Sequence, residues 1–419
     1  MARKTVRFED EVAPYRPAST IRYHTKSRHS VGGADSYSSH TAPPLDFLLC
    51  LEFTTVLRSR HMCHPTTTSL MGDLASKLSR AGVAVRIHTP SSRAAEDHRT
   101  WTLSPDLTVP VSSLDVGQFA IKLTSPLFPF PSAGGFLSSL SPVFCQLQFD
   151  FKPTLSPECA SHIHLVPARG RWTLEEATRL ACAAVHFEPV LDALVPPCRR
   201  RSVWAKSNRH NAYLGRRRTV PECIAALRQH ANSFPALAAR MNWCGARSAT
   251  GAAVARADDF VHAGYRWDLS GLDTAGAGTV VFRQPPGVLD ARGAVGWVVL
   301  TACFAQVACG GGFESVVDAV APPSLSSLSR GVRRQARAAV VARHHVEYLR
   351  DMFAQADAVV EAPCERARLV RDAEALSADE VARLRWEDML QWSVGQEKFW
   401  AYVSHAGKGK RGSKLVCEV

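Results

Sequence analysis

The sequence predicts an α+β fold: a sheet of several strands flanked by helices, followed by a helical C-terminal extension. Three observations carry that prediction. Short apolar runs bounded by Ser, Gly and Pro recur from Leu45 to Val166. Capped helical segments alternate with such runs, and beyond Pro322 the strand pattern stops while charged helical periodicity continues.

The elements follow in order. Residues 1–44 are rich in Arg, Ser, His and Pro, with too little apolar surface to offset ordering, and read as a disordered basic arm. Phe47 to Phe53 is an apolar run broken only by Glu52, the pattern of a buried strand. Leu70, Leu74 and Leu78 predict a helix over 68–81 ending at Gly82, and a strand over Val83 to His88 follows. Further strands are expected at Leu107 to Val111, Phe119 to Thr124, Cys145 to Phe151 and Ser161 to Val166.

Thr173-Leu174-Glu175-Glu176 is a capping box opening a helix to Leu194. Residues 221–240 and 290–308 read as two more helices, with a strand over Gly278 to Arg283 between them. Arg330 to Glu361 is helical, a further capped segment starts at Ser377, and Lys408 to Lys414 is a basic tail. The division expected is an arm (1–44), one elaborated domain (45–314), a helical extension (315–405) and a tail (406–419).

The chain has 419 residues, 46% of them apolar, and a formal net charge of +12. That charge favours anionic partners without naming one. The twelve cysteines form no CxxC pair, and the N-terminus lacks a signal-peptide core, so reduced thiols and a cytoplasmic or nuclear location are expected. Ala294 to Cys309 is too short for a comfortable membrane span and reads as a buried helix, so no membrane partner is expected.

Four groups of residues bear on chemistry. Period-two geometry places Cys50 and Glu52 on one strand face, where a carboxylate can ligate Mg²⁺; a solvated glutamate is the plainer account. His162 and His164 likewise share a face and can hold a metal or phosphate oxygens, although an exposed sheet face explains them equally well. Arg283 closes an apolar strand with a fork suited to phosphate or carboxylate, or simply reaches water. Arg199-Arg200-Arg201, with Trp204, Lys206, Arg209 and Arg216-Arg217-Arg218, can hold a triphosphate or grip nucleic acid, whereas a solvated loop surface is the plainer account, preferred for the second triplet. Nucleic acid ranks last as a partner, because the charge lacks the aromatic interleaving of a stacking platform.

Taken in order, these segments resemble the amidoligase family, whose pattern is a GVELEF strand, a W…D segment, an EIVSP strand, a GxHVHV strand, an Arg-rich segment and a GTIEFR strand. Here they read Leu48 to Phe53, Trp101 with Asp106, Lys122 to Pro126, Ala160 to His164, Arg200 to Asn208 and Gly278 to Arg283. The resemblance implies a glutamine-synthetase-like antiparallel sheet forming a cleft. It also implies ATP and Mg²⁺ or Mn²⁺ as cofactors, and an amide bond made between a small-molecule carboxylate and an amine or ammonia through an acyl-phosphate. It assigns metal binding to Glu52 and His162 and nucleotide contact to His164, Arg200, Arg283 and Lys122, with Glu52 and Arg283 in catalytic roles.

Three departures qualify that assignment. Cys50, Lys122 and Val281 stand where the family pattern has glutamates, and none supplies the oxygen ligand a hard cation needs. Lys122 is expected to put its ammonium in the region a metal would fill. The competing reading is a catalytically degenerate amidoligase fold serving as a binding or scaffold module.

Overall fold

The computed structural model describes residues 45–361, apart from 89–98, 112–116, 131–133, 201, 203, 210, 212, 215–217, 243–263, 273–274, 319–322, 340 and 342. The expected basic arm, the capped segment at Ser377 and the basic tail lie outside the described residues.

An eight-stranded sheet organises the chain. Its strands are β1 (Phe47–Arg58), β2 (Val85–Ile87), β3 (Trp101–Pro105), β4 (Gln118–Thr124), β5 (Phe128–Phe130), β6 (Ser161–Pro167), β7 (Trp267–Asp268) and β8 (Val280–Phe282). The order is β2-β3-β4-β1-β6-β8-β7, with β5 pairing β1. Every pairing is antiparallel except β2 with β3.

The helices are α1 (Thr67–Arg80), α2 (Gly134–Asp150), α3 (Leu174–Ala193), α4 (Pro197–Arg200), α5 (Val220–His230), α6 (Phe234–Asn242), α7 (Ala291–Cys309), α8 (Glu314–Asp318), α9 (Leu325–Ala338) and α10 (Arg343–Glu361).

Alternation along the strands decides which face holds the core. Phe47, Leu49, Leu51 and Phe53 of β1, Ile121 and Leu123 of β4, Ile163 and Leu165 of β6, and Val280 and Phe282 of β8 all join one buried cluster with α1, α2, α3 and α7. The alternate positions therefore face the other way. There Val56, Val109, Ala120 and Cys159 make a second, small apolar cluster, and the remaining positions carry the polar residues considered below.

Local signals account for several elements. Thr173 accepts from Glu176 N at 3.2 Å while the Glu176 carboxylate accepts from Thr173 N at 2.9 Å, so the predicted capping box opens α3. Asp290 caps α7 by accepting from Gly293 N at 2.7 Å. By length and composition α7 could cross a membrane, yet 83% of its apolar window is buried inside the fold. It is a core helix against which α9 and α10 pack. At Gly296 helices α7 and α10 approach closely: an added Cβ would lie 2.1 Å from the Tyr348 ring of α10.

Three sequence expectations are corrected. Cys145 to Phe151 is not a strand but the end of α2, because Leu140, Val143, Phe144 and Leu147 continue a helical stripe into the core. Leu107 to Val111 is not a strand either. Asp106 accepts from Thr108 N at 2.9 Å and turns the chain, leaving Leu107 exposed; the strand is β3, a few residues earlier. Residues 221–240 form two helices, α5 and α6, separated at Ala231 to Ser233.

Gly278 opens the segment leading into β8 with φ +107°, and a Cβ there would lie 2.0 Å from the Gly271 carbonyl oxygen. Gly278→Ala combines a left-handed backbone with a clash against main chain. It is expected to destabilise the fold by about 2 kcal/mol or more. Urea unfolding of the variant checks this; an unchanged midpoint would contradict it.

Candidate functional site

Register brings the motif residues together. Glu52 pairs with His162 and Cys50 with His164 between β1 and β6, His164 pairs with Val281 of β8, and Thr54 pairs with Lys122 of β4. Cys50, Glu52, Lys122, His162, His164 and Val281 thus share the sheet face opposite the main core. All three positions where the family pattern has a lost glutamate lie on that face.

Glu52 sits at the centre. Its Oε1 lies 2.8 Å from His162 Nδ1 and its Oε2 lies 3.5 Å from Lys122 Nζ. Burial alone would raise its carboxyl pKa, but the Lys122 ammonium and the His162 contact outweigh burial and hold it well below the usual carboxylate range. Glu52 is therefore ionised at neutral pH.

Arg283 follows β8 and approaches His162 Nδ1 with Nη1 at 3.4 Å. Its Nη2 and Nε lie 3.0 and 3.1 Å from Asp268 Oδ2. Asp268 is buried, and its other oxygen accepts from Ser270 N at 2.9 Å. Behind this pair, the fully buried Arg199 donates through Nη2 to the Arg283 carbonyl at 2.6 Å and through Nε to the Gln284 carbonyl at 3.3 Å. Burial lowers the Arg199 pKa to about 10, which still leaves it charged at neutral pH.

Sequence reasoning missed Asp268, and named Arg199 only as one member of the Arg199 to Arg201 cluster. A buried carboxylate between Trp267 and Leu269 was the available sign for the first. Nothing local distinguished Arg199 from its neighbours. Arg200 is placed elsewhere: its Nε donates to the Val195 carbonyl at 3.1 Å, and its own carbonyl accepts from Arg266 Nη2 at 3.1 Å.

A second buried network lies beside that arginine. Arg266 pairs with Glu188 at 2.9 Å and Asp192 at 3.1 Å. Burial raises the Asp192 carboxyl to about 6 despite the Arg266 charge. The Arg266 carbonyl also accepts from Arg283 N at 2.8 Å, so this network holds the strand end that carries Arg283.

The two imidazoles are neutral at pH 7. Burial lowers His162, and Arg283 adds to that against the Glu52 hydrogen bond. Burial lowers His164 to about 4. His162 Nε2 and both ring nitrogens of His164 are buried with no hydrogen-bond partner among the described residues. Such atoms are costly, and their clustering beside Glu52 marks a candidate site.

The folded state resists protonating His164, so its contribution to stability is fully present above pH 6.5 and is lost as pH falls toward 4. Asp192, raised to about 6, works in the opposite direction, its contribution fading as pH rises through 6. His164→Gln should remove the first effect alone. The loss of stability between pH 7 and pH 5, measured by urea unfolding, should shrink by about 2 kcal/mol in the variant. An identical pH dependence in both proteins would contradict the assignment.

The donor set does not fit the Mg²⁺ or Mn²⁺ that the family pattern implies. A hard cation needs several oxygens. Glu52 has both oxygens turned to His162 and Lys122, Asp268 is bound to Arg283 and Ser270, and Cys50 directs its thiol to the Ser125 carbonyl at 3.3 Å. No group of three His, Cys, Asp or Glu close enough to hold a metal occurs among the described residues. The Lys122 ammonium stands 3.5 Å from Glu52 Oε2.

The family model described as "Putative amidoligase enzyme" matches residues 56–305, more than half of the chain. A solved structure titled as a "novel glutamine synthase homolog" shares 13% identity, covering 79% of this chain and 71% of that one, at a TM-score of 0.30. No curated protein matches. The family match supports a ligase-type function. The chain belongs to the amidoligase family.

Proposed function

We propose that the protein uses this sheet face to join a carboxylate to an amine, with the charge of Lys122 and Arg283 doing work that a metal does in a fuller ligand set. The observation that carries the reading is the 3.5 Å approach of Lys122 Nζ to Glu52 Oε2, on the face that also holds His162, His164 and Arg283. In the reaction, a carboxylate oxygen attacks the γ-phosphorus of ATP and ADP leaves. The amine then attacks the acyl-phosphate carbonyl, releasing phosphate and a proton.

Phosphoryl transfer of this kind depends on cations placed against phosphate oxygens. Lys122 and Arg283, 26% and 19% exposed, are both accessible to such oxygens. Glu52 holds the ammonium in place, and Asp268 and Arg199 fix Arg283 from its side chain and its main chain. The neutral His162 and His164 accept hydrogen bonds from a ligand. Arg200 lies away from this group and contributes, on this reading, only by supporting Arg266.

A second reading is favoured by a specific observation: both Glu52 oxygens are already engaged, while Cys50 and Val281 offer no replacement ligand. On that reading the protein binds the nucleotide or carboxylate without turning it over, as a degenerate binding module. Phosphorus NMR of ATP incubated with mixed small carboxylates and amines separates the two. ADP and phosphate formed only when both substrate classes are present supports the ligase. Unchanged ATP at stoichiometric protein supports the binding module.

A further inference from the structure

Sharing no residue with the sheet face, α9 and α10 enclose a groove of about 610 Å³. Arg330, Arg333, Arg334 and Arg337 of α9 fall three and four residues apart, hence on one helix face, and Arg350 of α10 joins them along the groove. The opposite face of α9 is the apolar one: Leu328, Val332 and Ala336 are buried with α7. Leu325 and Phe353 line the bottom of the groove, and both are buried.

Among the described residues the charge of this groove is unbalanced. Arg350 meets Asp351 at 3.2 Å, but the four α9 guanidiniums have no ion-pair partner among the described residues. Arg333 Nε is buried with no hydrogen-bond partner among the described residues. Like charges three and four residues apart repel and weaken the helix that carries them. A multiply charged anion in the groove removes that repulsion and satisfies the buried donor.

The chemistry of the occupant follows from the lining. Guanidinium forks match phosphate oxygens two at a time. The volume is that of a small-molecule site, within the range of about 300–1,000 Å³. The lining offers no aromatic platform for bases, since Phe353, its aromatic residue, is buried, and this argues against single-stranded nucleic acid. We infer that the groove between α9 and α10 binds a compact polyphosphate, a small molecule carrying two or more phosphates, at a site separate from the sheet face. This inference does not depend on the ligase reading.

The test is calorimetric titration of the full chain with inorganic tripolyphosphate and, separately, with ATP. Tripolyphosphate is expected to bind the groove with a stoichiometry of one. Arg330→Glu with Arg334→Glu should weaken it at least tenfold, and Arg330→Gln with Arg334→Gln should weaken it less. Arg80→Glu with Lys152→Glu, which changes net charge equally on another surface, should leave it unchanged. Circular dichroism establishes that each variant is folded.

Equal affinity for tripolyphosphate and ATP means that the phosphate chain alone is recognised, and tighter ATP binding that also falls in the glutamate variant means the nucleoside is read as well; both support the site. No binding, or equal loss in the Arg80 and Lys152 control, overturns it. So does affinity for single-stranded RNA that rises with length while tripolyphosphate stays inert.

Discussion

Lys122→Glu is expected to convert nucleotide binding from metal-independent to metal-dependent. The substitution removes the ammonium 3.5 Å from Glu52 Oε2 and puts a second carboxylate beside the first. Without a divalent cation the two negative charges repel the phosphates, and affinity for ATP should fall tenfold or more. With Mg²⁺ or Mn²⁺ present the paired carboxylates form the oxygen set that the wild-type face lacks, and affinity should recover. Lys122→Ala provides the contrast: it loses the cation without creating a ligand, so metal should not rescue it. Calorimetry of both variants in EDTA and in Mg²⁺ reads the difference, and rescue of both or neither would contradict the account.

Arg266→Met is expected to be the most destabilising substitution near the site. Arg266 is 5% exposed and compensates two carboxylates, Glu188 and Asp192, which the methionine leaves buried and unpaired. Breaking a buried ion pair from one side costs about 3–5 kcal/mol. Part of the loss should be regained in Arg266→Met with Asp192→Asn, since the second change removes one stranded charge. Urea unfolding measures both.

The sheet was legible where the pattern was strictly local. In β1 the alternation from Phe47 to Phe53 gave both the strand and the face of Glu52. In β6 the spacing of His162 and His164 did the same, and the Thr173 to Glu176 box announced α3. What failed was the choice between strand and helix for a short apolar run: Cys145 to Phe151 looks the same in either state until the stripe from Leu140 is added. The Leu107 turn depended on one side chain, Asp106, bonding its own backbone.

The candidate site was half legible for a related reason. Glu52, Lys122, His162 and Arg283 could be named because each sits in a motif, whereas Asp268 and Arg199 act through pairings 15 and 84 residues distant in sequence. Arg199 and Arg200 are adjacent and chemically identical. Only the fold decides that Arg199 reaches the Arg283 carbonyl while Arg200 turns to Val195.

The most direct test of the central claim, that Lys122 serves in place of a metal beside Glu52, is calorimetry of the wild-type protein with ATP, in EDTA and again in excess Mg²⁺. Sheet-face binding is defined as the signal abolished by Lys122→Ala. Affinity that is the same in both buffers is the predicted result. Binding that appears only with Mg²⁺ would show that a metal is held despite the missing carboxylates, and would contradict it.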